Sequence, residues 1–187
     1  MQKLIQLFKT AGFSGSDLDK VVKAFSLKTF KKGEFFVEEG KTSRYLGFVK
    51  SGQFQYFVLK DGEERTTYVS IENTFLASVM SFVGEKPAQE FVRALTDSEV
   101  YLLHRDTLKT LVNEIPAFKD FYIQLLKWSI CGIDSSRHDL IVLNADQRYE
   151  KMLREEPHHL RQIPLQYLAS MLGITPRHLS RIRKNIR

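Results

Sequence analysis

Residues 165–182 read LQYLASMLGITPRHLSRI, a pattern typical of two short helices joined by a tight turn. Ala169 stands four residues before Gly173, so a small side chain lies where a second helix can cross close to the first. Gly173 permits the left-handed backbone conformation that such a turn requires. Thr175 is suited to cap the second helix, and Pro176 to begin it. The stretch therefore predicts a helix-turn-helix.

The second helix of this motif has one apolar side and one polar side. Leu179 and Ile182 fall on the apolar side, which we expect to face the first helix. Residues left for the outer surfaces are Thr175, Arg177, His178, Ser180, Arg181 and Lys184. Arginine can donate two hydrogen bonds to a guanine edge, so Arg177 and Arg181 are the main candidates for base contacts in duplex DNA, with His178 and Ser180 as lesser candidates. The candidates for phosphate contacts are Thr175, Arg183, Lys184 and Arg187.

The charge of the chain is concentrated near this motif. The 187 residues carry a net charge of +6, and residues 157–187 contain six Arg or Lys residues and no Asp or Glu. Residues 1–156 are therefore neutral overall. A neutral body with a basic end is typical of nucleic-acid binding, although a membrane surface would attract the same charge. We find no apolar run long enough to span a bilayer and no secretory-signal pattern, so we expect a cytoplasmic protein without a membrane partner.

The residues that usually indicate catalysis or metal binding are scarce. Cys131 is the only cysteine, so an internal disulfide and a cysteine-ligated metal site are excluded. We expect Cys131 to be a buried core residue, with a redox-sensing thiol as the alternative. His158 and His159 are neighbours in a predicted loop over residues 157–164, where adjacent residues rarely form a site. We find no phosphate loop or nucleophile motif, and predict neither an enzyme nor a bound metal or cofactor.

Residues 28–104 alternate short β-branched or aromatic runs with glycine turns, which predicts a small antiparallel barrel or roll. Ser51-Gly52 and Asp61-Gly62 are both hairpin signals. A short amphipathic helix precedes the strands, with Ser16 as a candidate N-cap.

Residues 116–142 predict a long helix whose apolar residues cover more than one narrow stripe. We expect it to pack on the roll and on a second copy of itself, although packing within one chain stays open. Small residues that would allow close approach are Ser129, Gly132 and Ser136. Asn144 and Gln147 form a capping box that begins the next helix.

A β-roll, a long helix and a C-terminal helix-turn-helix, in that order, resemble the Crp/Fnr family of bacterial transcription regulators. GEFFVEEG (33–40) and LGFVKSGQFQYF (46–57) resemble the first strands of its cyclic-nucleotide-binding domain. GITPRHLSRIRK (173–184) resembles its recognition element, and Arg181 matches a recurring arginine. An Arg-Glu pair common in the family is replaced by Pro176-Arg177, so we expect a different operator.

The resemblance implies an α+β fold with three parts. These are a sensor β-roll with flanking helices over residues 1–115, a dimerisation helix over 116–142 and a winged-type helix-turn-helix domain over 143–187. It also implies a homodimer on a palindromic operator in double-stranded DNA, with RNA polymerase as a further partner. The predicted function is a dimeric, sequence-specific DNA-binding transcription regulator. The alternative is a small-molecule sensor whose C-terminal helices dock a protein partner.

The sensor departs from the family at its ligand cassette. FLASVMSFVGEKPAQEFVRAL (75–95) aligns with that cassette without gaps. The family's Gly-Glu-Leu reads Ala77-Ser78-Val79 here, and its Arg-Ser reads Ala88-Gln89. The carboxylate for the ribose and the guanidinium for the cyclic phosphate are therefore missing, and we predict weak or no cAMP binding. Candidate residues for the pocket of a different effector are Ser78, Gln89 and Arg93. His104, the candidate for a haem ligand, is expected to be structural instead.

Overall fold

The computed structural model describes residues 1–185, with helices at both ends and β-strands between them. The strands are β1 (Ser26–Phe30), β2 (Phe35–Val37), β3 (Tyr45–Ser51), β4 (Phe54–Lys60), β5 (Glu63–Ser70), β6 (Phe75–Leu76), β7 (Phe91–Ala94) and β8 (Ser98–His104). The helices are α1 (Gln2–Thr10), α2 (Gly15–Lys23), α3 (Val79–Gly84), α4 (Arg105–Glu114), α5 (Pro116–Val142), α6 (Ala145–Glu155), α7 (Pro157–Gln162), α8 (Leu165–Met171) and α9 (Pro176–Asn185). None of these helices is both long and apolar enough to cross a membrane.

The strands form two antiparallel four-stranded sheets, ordered β1-β8-β3-β6 and β2-β7-β4-β5. Alternate residues of both sheets point into one buried cluster that includes Phe30, Phe54, Val92 and Val100. This closed arrangement confirms the predicted antiparallel β-roll.

Of the two predicted hairpin turns, Asp61-Gly62 forms and Ser51-Gly52 does not. Asp61 and Gly62 both have positive φ, 55° and 79°, and join β4 to β5 with Lys60 opposite Glu63. Positive φ at both central residues is typical of a two-residue hairpin turn. Ser51-Gly52 is not a hairpin, because β3 and β4 lie in different sheets. Gly52 has φ 93°, and a Cβ there would collide with Ser98, so this glycine allows the chain to change sheet.

The N-terminal helices cover one end of the roll. The sequence analysis did not predict α1, whose Leu4 and Phe8 are fully buried in a cluster with Phe118. Helix α2 begins after Ser14, so the predicted N-cap Ser16 lies inside the helix.

Helix α5 spans the range predicted for it, and Phe118 is its only buried residue. Large apolar side chains exposed along it are Ile123, Trp128, Ile130, Ile133, Leu140, Ile141 and Val142. Cys131 is also exposed on α5, which contradicts the expectation of a buried core residue.

The regular elements within residues 143–185 are four helices, α6 to α9, and no strand of a wing lies among these residues. The predicted loop over residues 157–164 is replaced by α7, which begins with Pro157 in its first turn, where proline is well tolerated. The C-terminal helices share a buried core with the roll, in which Val69, Ile71 and Leu95 meet Leu168. This shared core fixes α8 against β5.

Candidate nucleic-acid interface

The turn between α8 and α9 is closed by two backbone hydrogen bonds that involve the small residues Ala169 and Gly173. Ile174 N donates to Ala169 O at 3.0 Å, and Gly173 N donates to Ser170 O at 3.0 Å. This pair of bonds defines a Schellman ending, which places a left-handed residue after the helix. Gly173 occupies that position with φ 70°. The turn therefore forms as the sequence predicts.

Helix α9 begins and packs as the sequence predicts. The Thr175 hydroxyl accepts a hydrogen bond from His178 N at 3.2 Å, so Thr175 is the N-cap, and Pro176 is the first helical residue. Leu179 and Ile182 are buried in the cluster shared with α8. The apolar side therefore holds α9 against the rest of the motif and leaves its polar side outward.

Six of the predicted DNA-binding residues surround one shallow depression on the outside of α9. They are Thr175, Arg177, His178, Ser180, Arg181 and Lys184, and we call them the α9 surface. Arg177, Arg181 and Lys184 are exposed. Within residues 1–185, His178 Nε2 lies 3.7 Å from Asp146 Oδ1, while no carboxylate pairs with Arg177 or Arg181. The α9 surface thus carries uncompensated positive charge close to a helix N-terminus, where anions bind favourably.

Arg183 lies apart from the α9 surface. Its guanidinium carbon is 5.8 Å from the centroid of the Tyr149 ring, and its Nε is buried without a hydrogen-bond partner within residues 1–185. The side chain of Arg183 is thus partly buried against α6, and its role in phosphate contact stays a prediction. Arg187 lies outside the described residues.

His159 connects the C-terminal helices to the roll. Its Nε2 lies 2.7 Å from Val69 O, and its Nδ1 lies 2.8 Å from Glu156 Oε2. Both acceptors lack a proton to donate, so the two hydrogen bonds require the doubly protonated imidazolium. Two further hydrogen bonds cross the same contact: Gln53 Nε2 donates to Gln162 O, and Thr66 N donates to Ser170 Oγ.

The surroundings of His159 move its pKa. Burial by itself would lower the pKa of His159, but the hydrogen bonds that the ring donates to Glu156 and Val69 outweigh it and raise that pKa above its ordinary value. The same hydrogen bond lowers the pKa of Glu156. Tyr68 faces the imidazole ring at 5.4 Å, and burial, together with the charge of Glu156, raises its pKa to about 12. The sequence pattern predicts a loop at this histidine, in which adjacent residues rarely form a site. Residues Pro157–Gln162 form helix α7 instead.

The three residues proposed for an effector pocket have different surroundings. Ser78 is buried and donates to Glu90 Oε1 at 2.9 Å, whereas Gln89 is exposed. Arg93 lies on the outer face of its sheet, since its neighbours Val92 and Ala94 point into the roll. It is held by Glu64 at 2.8 and 2.5 Å, and it stacks over Phe57. Arg93 is therefore corrected from a pocket residue to an outer-face ion pair.

The cassette contains an acidic group that the sequence analysis overlooked. Glu90 is half-buried beside Ser78, and burial raises its pKa although the Ser78 hydrogen bond opposes that rise. Burial therefore favours the neutral form of this carboxyl group.

The remaining candidate ligand, His104, stabilises the start of a helix. His104 caps α4, with its Nδ1 accepting from Asp106 N at 3.2 Å, as expected for a structural histidine. Residues 1–185 contain no cluster of three or more His, Cys, Asp or Glu side chains that could hold a metal ion.

The β-roll is similar to a known family of domains. Residues 27–114 match the cyclic nucleotide-binding domain family. This range covers the roll from β1 through α4, including the altered cassette. No curated protein sequence matches the chain.

Solved structures of transcription regulators share the whole fold. FixK2 from Bradyrhizobium japonicum aligns with TM-score 0.73 and 15% identity, covering 87% of this chain and 84% of its own. The Catabolite Activator Protein of Thermus thermophilus aligns with TM-score 0.60 and 22% identity, covering 94% and 84%. An Eubacterium rectale protein assigned to the crp/fnr family aligns with TM-score 0.65 and 16% identity, covering 93% and 83%. The chain therefore has the fold of these regulators, and its roll is similar to the cyclic nucleotide-binding domain.

Proposed function

We propose that this protein is a cytoplasmic, dimeric transcription regulator of the Crp/Fnr type that binds specific DNA sequences. The observation that carries the proposal is the α9 surface: six polar side chains face outward from one helix, and Arg177 and Arg181 lack acidic partners within residues 1–185. A major groove accepts an α-helix, and free arginines on it can read guanine.

The proposed dimer forms through α5. Trp128 is 69% exposed and Ile133 57%, which is unusual for large apolar side chains along one helix. A second copy of α5 would cover these side chains, together with the small residue Gly132. Such a dimer would place two α9 helices about 34 Å apart, on successive major grooves of a palindromic operator. RNA polymerase bound beside the operator is the proposed further partner.

The proposed regulator does not sense cAMP. The cassette lacks the family's glutamate and arginine, and it contains the half-buried Glu90 instead. Any effector of this site would bind without the arginine with which the family pairs the cyclic phosphate. We propose no catalytic activity and no bound cofactor.

Selection of bound DNA from a random duplex pool tests the proposal. We expect an inverted repeat whose half-site centres are about 10 bp apart, because each copy of α9 reads one half-site. A pool that gains no common sequence after repeated rounds would contradict DNA recognition and favour C-terminal helices that dock a protein. Repeating the selection with metabolites from cell extract would show whether an effector changes the affinity.

A further inference from the structure

Arg148, on α6, forms hydrogen bonds with two separate parts of the chain. One terminal nitrogen, Nη1, donates to Leu143 O at 3.0 Å, and the other, Nη2, donates to Leu172 O at 2.6 Å. Its Nε is buried without a partner within residues 1–185. The side chain is therefore held in place by its two terminal nitrogens.

Both acceptors are carbonyl groups at helix ends. Leu143 is the C-cap of α5, and Leu172 is the C-cap of α8, one residue before Gly173. Carbonyl groups at a helix C-terminus lack partners inside the helix and carry partial negative charge. The planar guanidinium can bond two such groups at once with fixed geometry, which the single ammonium of lysine cannot do.

Helix α6 also contacts α5 and α9 through other side chains. Lys151 Nζ lies 2.7 Å from Asp139 Oδ2 on α5, and Asp146 and Tyr149 face His178 and Arg183 on α9. Arg148 is distinct because it reaches the turn that precedes α9. The end of the long helix and the start of α9 are thus linked through one side chain.

We propose that Arg148 is a positioning residue that sets the placement of α9 relative to α5. In a dimer joined by α5, it would fix the separation and the angle of the two recognition helices. This inference rests on the proposed function, but its structural part can be measured without DNA.

The structural part is tested by distances between spin labels on α5 and α9. Labels are placed at Arg137→Cys and Asn185→Cys in a Cys131→Ser background, with excess unlabelled chain to dilute labelled pairs. We expect one narrow distance distribution for the parent and a broad or shifted one for Arg148→Lys and Arg148→Met. Arg154→Met is the matched control, because Arg154 lies on the same helix and is exposed. Unchanged distributions in both Arg148 variants would overturn the proposal.

The functional part is tested by the preference of the protein for operator spacing. We expect Arg148→Lys to reduce affinity for the selected operator about tenfold, as when a base contact is misplaced, with affinity for random DNA little changed. Operators with one base pair added or removed between half-sites should be discriminated less well than by the parent. A variant that loses thermal stability but keeps the parent's spacing preference would show a merely structural role. If the parent selects no DNA while the label distances still broaden, the proposed function fails and the positioning role of Arg148 stands.

Discussion

Arg177 and Arg181 differ from Arg148 and Arg183 in what their side chains contact. Both are exposed on the α9 surface, whereas Arg148 is hydrogen-bonded to helix ends and Arg183 packs on Tyr149. A basic helix therefore contains side chains free for a ligand and others engaged with the protein itself. Periodicity separates Leu179 and Ile182 from the cations of α9, but it does not show that Arg183 packs on Tyr149.

We expect Arg181→Ala to weaken specific operator binding by about 1–3 kcal/mol, which is the usual contribution of a bidentate contact to guanine. Binding to random DNA should fall much less, because a base-reading side chain contributes little to non-specific affinity. Titration of the protein with operator and random duplexes at one salt concentration measures both. Arg161→Ala is the control, since Arg161 is exposed on α7 and outside the α9 surface. Equal losses on the two duplexes would argue that Arg181 contacts only phosphate.

Helix α5 can be predicted from its own residues, whereas helix α7 cannot. The length and apolar content of residues 116–142 predict a helix, and α5 has those bounds. The histidine-rich segment after Pro157 has too few apolar residues to show a period, so α7 was predicted as a loop. Its Leu160 and His159 become buried only because β5 and the other C-terminal helices cover them. Short helices of this kind are stabilised by packing rather than by their own propensity.

We expect Ile133→Glu on α5 to increase the dissociation constant of the dimer about 100-fold or more. Each copy would lose about 1.5–3 kcal/mol of apolar burial and would place a charge in the interface. Sedimentation equilibrium measures the constant, and Gln124→Glu on an exposed position of the same helix is the control. Equal dimerisation of both variants and the parent would show that α5 is not the interface.

The whole molecule depends on a contact between the roll and the C-terminal helices. The core that includes Leu168 and Val69 joins residues far apart in sequence, and His159 adds a charged hydrogen bond to the same contact. The apolar part of the contact is independent of pH. The His159 part depends on pH, because only the imidazolium donates to both Val69 and Glu156.

We expect the contact to be weaker in alkaline solution. The pKa of His159 is raised from 6.5, so its contribution is complete below that value and is lost as the pH rises through the raised pKa. The pKa of Glu156 is lowered from 4.5, so the contribution of its carboxylate to the contact is lost only as the pH falls through that lowered pKa. The parent should therefore lose unfolding free energy relative to His159→Gln between pH 6 and pH 9, because the folded protein holds the His159 proton more tightly than the unfolded chain does.

Urea unfolding of both proteins across this pH range measures the difference. His158→Gln is the matched control, because His158 is the exposed neighbour on the same helix. Parallel pH profiles for the parent and His159→Gln would contradict the required imidazolium.

The sequence by itself determined the features that depend on local pattern: the alternating strands of the roll, the bounds of α5, the caps of α6 and α9 and the turn at Gly173. Each of these follows from backbone preference or from periodicity within a few residues. Only the tertiary structure decided which side chains of those elements meet distant partners. Arg93 and Glu64 are 29 positions apart, and His159 and Val69 are 90 positions apart, so no local pattern contains their pairing. The placement of α8 on β5 was decided in the same way, because apolar surfaces bury against whatever the whole chain brings to them.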